Sequence, residues 1–307
     1  MAVYVLRRLG QAILILVLIS FTTFFLLYVV PADPAQMMAG RGTNSAATIA
    51  SIREQLGLDQ PFLVQYGRYL QNLLHGDLGR SYLQKAEVTE LIASRLPATL
   101  VLMAGAIFFE IAIGLTMGLL AAVWRGTKVD QALMVASFVF VSTPQFLMGI
   151  LLLYVFAVHL DWLPMGGYGS LAQLILPALT LGILGAGWYS RVMRSSMLDV
   201  LRQDFIRTAK AKGLAPAIVV LVHALPNAIL PIIALIGADV GYFLSQTVVV
   251  ESVFGWPGIG QLTWQAIQRV DIPIIMGVTL VTACLVVLGN LVADLIAPLI
   301  DPRIKLR

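Results

Sequence analysis

The chain has 307 residues, 59% of them hydrophobic and only 12% charged, and its mean hydropathy is +0.89. Soluble domains carry roughly 25% charged residues, so this composition excludes an ordinary soluble globular protein and points to lipid. The net charge of +4 does not indicate nucleic acid: the cations are spread over short loops between apolar runs, with no basic cluster interleaved with aromatics as an RNA platform needs.

In chain order, MAVYVLRRLGQAILILVLISFTTFFLLYVV places Arg7 and Arg8 ahead of an apolar run from Leu9 to Val30. At 22 residues the run exceeds the roughly 7–15 of a signal peptide, and it reads as an uncleaved first membrane helix. Residues 31–97 follow as an insertion with structure of its own. SIREQLGLDQPFLVQYGRYLQNLL has helical spacing broken at Pro61, which predicts two short helices ending at the turn-rich HGDLGRS. KAEVTELIASRLP reads as an amphipathic helix feeding the second span. The further spans, each needing about 20 apolar residues, are Ala98–Val123, Ala132–Val158, Leu174–Tyr189, Ile229–Val250 and Ile274–Leu299. The fourth is short, with an extension to Met197 in reach, and its Gly182, Gly185 and Gly187 would let another helix approach closely.

Lys and Arg in short loops set the orientation. With the N-terminus in the cytoplasm, thirteen of the twenty cations fall inside, the two short outer loops hold only Arg269, and the other six lie in the long outer segment. Six spans with both termini cytoplasmic is the consistent solution. No internal repeat or flexible linker divides the chain. The expected organisation is a first transmembrane helix at 1–30, an extracytoplasmic insertion at 31–97, a transmembrane core at 98–300 containing a cytoplasmic loop at 190–228, and a cytoplasmic tail at 301–307.

Enzymatic signatures are missing. His75, His159 and His223 have no cysteine or carboxylate at metal-ligand spacing, so no metal site is expected. There is no GxxxxGK[ST] phosphate loop, GWPGIG at 255–260 precedes no βα unit, and no nucleophile sits in an elbow motif. The single cysteine, Cys284, forms no internal disulfide and reads as a small buried hydrophobe. Three acids, Glu110, Asp239 and Asp294, lie in or near lipid, where an ionised side chain costs roughly 2.5–3.5 kcal/mol. The plainer reading is a partnered acid at a helix interface; the functional one is a polar point on a transport path. For Asp239, in GADVGY, these become an interhelical hydrogen bond holding two subunits together or a contact for a transported group. Asp294 reads as a paired or snorkelling group near the cytoplasmic end.

The stretch SRVMRSSMLDVLRQDFIRTAKAKG, from 190, has helical periodicity and cations throughout, and predicts a helix leaving the membrane and ending at Gly213, with Lys210 and Lys212 in its last turn. Pro216 opens a second helix at its first position. APAIVVLVHALP would then lie at the cytoplasmic face before the fifth span enters near Ile229. So apolar a turn has three fates: packing under its own bundle, resting in the lipid interface, or insertion into a groove on a cytoplasmic partner.

This stretch resembles the cytoplasmic coupling loop of ABC-importer permeases, in the form used by the peptide/nickel family. Arg207, Thr208 and Ala209 occupy the places of that loop's Glu-Ala-Ala, with only the last alanine matching, followed by Gly213 and then by Leu225 and Pro226. RRLG, PADPA, LGLDQP, GDLGRS, RLPATL, LPMGGY, RSSMLDVL, VFGWPGIG, DIP and DPRIK follow the same family in order along the chain. The likeness is to the first permease of the pair.

The resemblance implies an all-α integral membrane protein with six transmembrane helices, a type I ABC importer permease of the bacterial plasma (inner) membrane. Around Gly213 to Val220 a short helix would seat in a cleft of an ATPase subunit. The residues expected to take part in coupling are Arg207, Thr208, Ala209, Lys210, Lys212, Gly213, Leu214, Ala215, Pro216, Ile218, Val219, His223, Leu225 and Pro226. The implied partners are a second homologous permease, two ATPase subunits, an extracytoplasmic substrate-binding protein and the bilayer. ATP and Mg would bind the ATPases, with no cofactor and no catalysis on this chain. The implied cargo is a di- or oligopeptide; nickel chelates, glutathione and other small solutes travel on the same scaffold. A proton-driven secondary transporter would couple through its buried acids and often shows inverted repeats, which this sequence lacks; an intramembrane enzyme would show paired Asp or His on facing spans, which are not evident, and a structural scaffold would leave the coupling loop unexplained.

Overall fold

The computed structural model describes residues 2–28, 35, 46–56, 59–81 and 83–300. Their helices are α1 (Ala2–Tyr28), α2 (Ala46–Leu56), α3 (Phe62–Leu74), α4 (Val88–Val123), α5 (Lys128–Ser142), α6 (Gln145–Leu153), α7 (Leu171–Val200), α8 (Asp204–Ala211), α9 (Pro216–Ile218), α10 (Leu225–Ala228), α11 (Leu230–Phe254), α12 (Ile259–Arg269) and α13 (Ile272–Ile300). Wider π turns follow α6, at Tyr154–His159, and α9, at Val219–Ala224. The expected tail at 301–307 and the PADPA segment, apart from Ala35, lie outside the described residues.

Two compact units emerge. The first takes residues up to Thr99 and Pro257–Leu288. Its α2 and α3 are the two short helices expected on either side of Pro61. Phe24, Tyr66, Ile272 and Met276 form its core with Phe62, Tyr69 and Leu70 packed alongside. The aromatic rings of α1 and α3 meet edge-on or tilted, as Phe21 does on Tyr66 at 5.3 Å, an arrangement the ring quadrupoles favour. Ser20 and Tyr66 share a hydrogen bond of 2.8 Å in this otherwise apolar contact. Many of the described α1 side chains are apolar and exposed, Ile13, Leu14 and Leu18 among them, a face suited to lipid.

A two-residue antiparallel pair, β1 (Arg80–Ser81) with β2 (Ala86–Glu87), interrupts the helices. It is too short to show a period-two pattern, and the all-α expectation omits it. Beyond it α4 runs through Pro97 without a break, so the expected amphipathic helix and second span are one helix of 36 residues. The Thr99 hydroxyl accepts the Ile259 amide at 2.9 Å, capping α12, whose own cap position is Gly258.

The buried Ser81 hydroxyl donates to Asp271 Oδ2 at 2.5 Å, joining β1 to the start of α13. Burial holds the Asp271 carboxyl above its ordinary range, against the opposing pull of Ser81, the Ile274 N–H and Arg269. The folded acid therefore keeps its proton more tightly than the unfolded one. The linked stability is complete below the unfolded value of about 3.9 and is lost as pH rises through the raised folded value. Ser81→Ala removes a group that favours the carboxylate, so this loss should move to higher pH. Amide exchange at Val88, which donates to Gly79 across the same turn, checks it against the parent; an unmoved profile would separate Asp271 from the hairpin.

The second unit takes Leu100–Trp256 and the chain from Gly289. Here the third expected span fails as a single helix. α5 and the helical run Gln145–His159 are bent by 111° at Thr143–Pro144. Proline has no N–H to donate and disfavours helical geometry in the residue before it, and Thr143 is extended at ψ 128. By length and composition, five helical runs among the described residues could cross a membrane, Pro216–Ile233 at the loop after the fourth expected span among them, or six if the bent pair counts as one span.

The fourth expected span is longer than its apolar core. It starts from a capping box of Ser170 and Gln173 and reaches Val200. Its glycines do bring helices close. A Cβ at Gly182 would lie 2.4 Å from the Ala106 carbonyl oxygen, and one at Gly187 would lie 2.6 Å from that of Ser137. The approach is mutual: a Cβ at Gly114 would meet Tyr189 Cβ at 2.6 Å, and one at Gly118 the Ser190 carbonyl at 2.5 Å. α4 and α7 thus interlock, small residue against backbone, along several turns.

Candidate functional site: the loop after α7 and the intramembrane acids

The expected single helix from Ser190 to Gly213 is two helices. α7 ends at Val200, and a three-residue break at 201–203 is closed by hydrogen bonds from the Arg202 and Gln203 amides to the Asp199 and Val200 carbonyls. α8 then presents Ile206 and Ala209 to the core and leaves Arg207, Thr208 and Lys210 exposed, with Lys212 exposed just beyond. Its two buried apolar residues share one side and its polar residues lie around the rest, which is why it lies on the bundle and is not buried in it.

Gly213 ends the helix as the sequence predicts. Its φ is +76°, a left-handed conformation natural to glycine. Its amide donates to the Lys210 carbonyl at 3.0 Å and the next, Leu214, to Ala209 at 3.4 Å. That pair of bonds is the Schellman arrangement, and Leu214 packs beside Ala209 as the motif requires. Pro216 follows at the first position of α9 after an extended Ala215. From Pro216 the path stays helical through the π turn and α10 into α11, with Ile229 alone outside helix. The segment is therefore joined to the fifth span helically.

The apolar face of this loop divides. Val219, only 2% exposed, packs with Ala224, Ala228, Met193, Met197 and Ile206 in its own chain's core. The expectation set Val219 against a partner; its burial here corrects that. Leu225 and Leu214 are partly buried at the same cluster, and His223 is half-buried, its carbonyl accepting from Asn227. Ala215, Pro216, Ile218 and Pro226 are exposed. So are Leu221 and Val222, at 53% and 61%, which periodicity does not single out. Ile218, Leu221 and Val222 thus leave an exposed apolar stretch on this turn.

Behind the loop, α7 is tied to α5. Arg194 donates from Nε and Nη2 to the two Asp130 carboxylate oxygens, each at 2.7 Å, and Asp130 also accepts the Gly126 amide at 2.9 Å. Ser137 donates to the Gly187 carbonyl at 2.5 Å and Ser190 to Ser137 at 3.0 Å. The Arg191 guanidinium lies over the Phe138 and Trp188 rings at 5.2 and 4.9 Å. Breaking a fully buried ion pair costs about 3–5 kcal/mol. Arg194 keeps some solvent, at 28% side-chain exposure, so Asp130→Ala should cost less, about 2 kcal/mol. Removing Arg194 as well should recover part of that loss in thermal midpoint; strictly additive effects would mean the pair contributes nothing as a pair.

The acids fall differently from one another. Glu110, 1% exposed, stands against Gly185 of α7, where any Cβ would collide with its carboxylate. Asp239 accepts the Tyr189 hydroxyl, an interhelical hydrogen bond made within this chain. Glu110, Gly185, Trp188, Tyr189, Asp239 and Tyr242 line a common cavity of about 300 Å³. The side chain of Asp294, on α13, lies outside the described residues. No cluster of three or more potential metal-ligating side chains occurs among the described residues.

The solved methionine ABC transporter MetNI, in inward-facing conformations, shares the fold: TM-score 0.55 at 19% identity, covering 69% of this chain and 96% of that one. The chain belongs to the family of binding-protein-dependent transport system inner membrane components. That family's model matches residues 114–306, and its N-terminal companion matches residues 1–103. The glutathione transport system permease protein GsiC of Salmonella paratyphi A is 40% identical over 302 residues, 98% of each chain. A putative peptide transport system permease protein of Brucella abortus is 39% identical over 313 residues, 99% of each. The protein is thus a membrane permease component, seated in the inner membrane, of a system that works with a binding protein.

Proposed function

We propose that this chain forms half of the translocation pathway of an ATP-driven importer of di- or oligopeptides. The other half would come from a second, homologous permease; two ATPase subunits would supply ATP hydrolysis, and a binding protein would deliver cargo from outside. The observation that carries the reading is the loop after α7: a Schellman-capped α8, Gly213, a Pro216-started turn and an exposed apolar stretch with Ile218, Leu221 and Val222. An apolar stretch following Arg207, Lys210 and Lys212 suits a groove on a cytoplasmic protein. ATPases closing around ATP would move this turn and switch the pathway between inward- and outward-facing. Peptide cargo is favoured by full-length likeness to a permease named for peptides and to one named for glutathione, itself a peptide.

The chain itself is expected to bind and hydrolyse no ATP, having no phosphate-binding loop. The orientation puts both termini in the cytoplasm. With Cys284 replaced, a cysteine introduced at Ser45 should label from outside intact cells and one at Ala215 only after permeabilisation; outside labelling at Ala215 would overturn the topology. The function itself is tested by uptake of dialanine into vesicles carrying the assembled transporter and its binding protein. Accumulation should require ATP on the ATPase side, and accumulation without ATP would remove the coupling role of the loop.

A further inference from the structure

The cavity shared by Glu110, Tyr189 and Asp239 is unlike the rest of the apolar interior. It has two carboxylates on facing helices, α4 and α11, with α7 between them supplying Gly185, Trp188 and Tyr189. None of the lining residues is Lys, Arg or His. The Tyr189 hydroxyl is committed to Asp239. Glu110 Oε2 is buried and has no hydrogen-bond partner. Arg191, one turn along α7, stays over the outer rings of Phe138 and Trp188.

A buried carboxylate oxygen without a donor is an incomplete interaction, because buried polar groups are otherwise paired. Gly185 is the residue that leaves room for it, since any side chain there would displace the Glu110 carboxylate. What the cavity lacks is a compact cation with several donors. A primary ammonium group has three donors and no acceptor, matching acceptor oxygens on Glu110 and Asp239. Aromatic side chains, Trp188 and Tyr242, line the same cavity. A volume of about 300 Å³ is that of a small-ligand site, large enough for the amino end of a peptide.

We propose that Glu110 and Asp239, walled by Trp188, Tyr189 and Tyr242, form an intramembrane binding site for the primary ammonium group of the cargo. The proposal rests on the importer reading and adds what the permease itself recognises, apart from the selection made by a binding protein. Glu110 receives the ammonium directly, and Tyr189 positions Asp239 as the second acceptor. A free amino terminus would be held here and an acylated one would not.

The test is equilibrium binding of tritiated alanyl-alaninamide to the assembled permease–ATPase complex in nanodiscs, with the binding protein left out. This probe carries the ammonium and no carboxylate. Binding should be saturable and displaced by unlabelled probe, while N-acetyl-alanyl-alaninamide, the same molecule without the cation, should compete at least tenfold less well. That comparison needs no variant. Glu110→Gln should weaken binding at least tenfold, and Glu110→Asp should restore part of it, which places the site on this chain and not on its partner permease. No saturable binding, equal competition by the acetylated probe, or parent-like binding in Glu110→Gln would each overturn the proposal. Each of these would leave the importer reading intact, since ATP-driven uptake is measured independently.

Discussion

Gly182→Val is expected to abolish recovery of a folded permease. The added Cβ would sit 2.4 Å from the Ala106 carbonyl oxygen, a backbone atom of α4 that no rotamer change can move. Neighbouring turns allow no compensation, because Gly114 and Gly118 face Tyr189 and Ser190 as tightly from the other side. Overpacking costs typically about 1–3 kcal/mol where side chains can yield. Here two helices must separate, so the cost falls at or above the top of that range, a large part of the roughly 5–15 kcal/mol that holds a domain folded. Monodisperse protein in detergent should fall at least tenfold. Gly10→Ala is the control: nothing lies within 4 Å of a Cβ there, and the exchange should gain about 0.5–1 kcal/mol of helix stability. Normal recovery of Gly182→Val would mean that α4 and α7 do not meet as closely as described.

Charge in the loop after α7 should have effects that depend on which way each residue faces. Leu221→Asp and Val222→Asp alter exposed positions, so the chain should fold and insert. A carboxylate placed in a dry groove on a partner is strongly disfavoured, and dialanine uptake should drop at least tenfold with weaker retention of the ATPases. Val219→Asp should instead lower the thermal midpoint of the chain alone, because Val219 lies in its own core. Gly213→Val meets a left-handed penalty of about 1–2 kcal/mol, too small to unfold the bundle but placed where the chain turns toward the exposed apolar stretch. It should uncouple ATP hydrolysis from uptake while leaving insertion intact. If Leu221→Asp, Val222→Asp and Gly213→Val all assemble and transport as the parent does, the loop is not the coupling element.

Much of the fold is legible in the residues because local chemistry decides it. The glycine spacing of the fourth span, the helix stop at Gly213, the restart at Pro216 and the break at Pro61 each come from a residue's own backbone preferences. The hidden parts need information that residue types do not carry. Hydropathy has no direction, so an apolar run through Ser142, Thr143 and Pro144 reads as one span although it turns by 111°. The π turn at Val219–Ala224 adds residues per turn, so a 3.6-residue wheel loses register there and overlooks Leu221 and Val222. The pairing of Tyr189 with Asp239 joins positions fifty residues apart, whereas the sequence offers another subunit as the acid's partner. At the second unit's loop, Gly166 and Gly167 lie against the Phe254 carbonyl, a tertiary reason for LPMGGY that spacing alone does not reveal.

The interlocked seam of α4 and α7 also limits how this permease can work. Carbonyls seated against glycines leave no slack for one helix to slide past the other, since packed interiors are bistable and do not deform continuously. The pair therefore behaves as one stiff lever, clamped to α5 by Arg194 and Asp130. The three-residue break after Val200 is where that lever meets the cytoplasmic loop. If the loop is where a partner pushes, as proposed, this joint would pass the movement to α7 and so toward Gly185 and the carboxylate beside it.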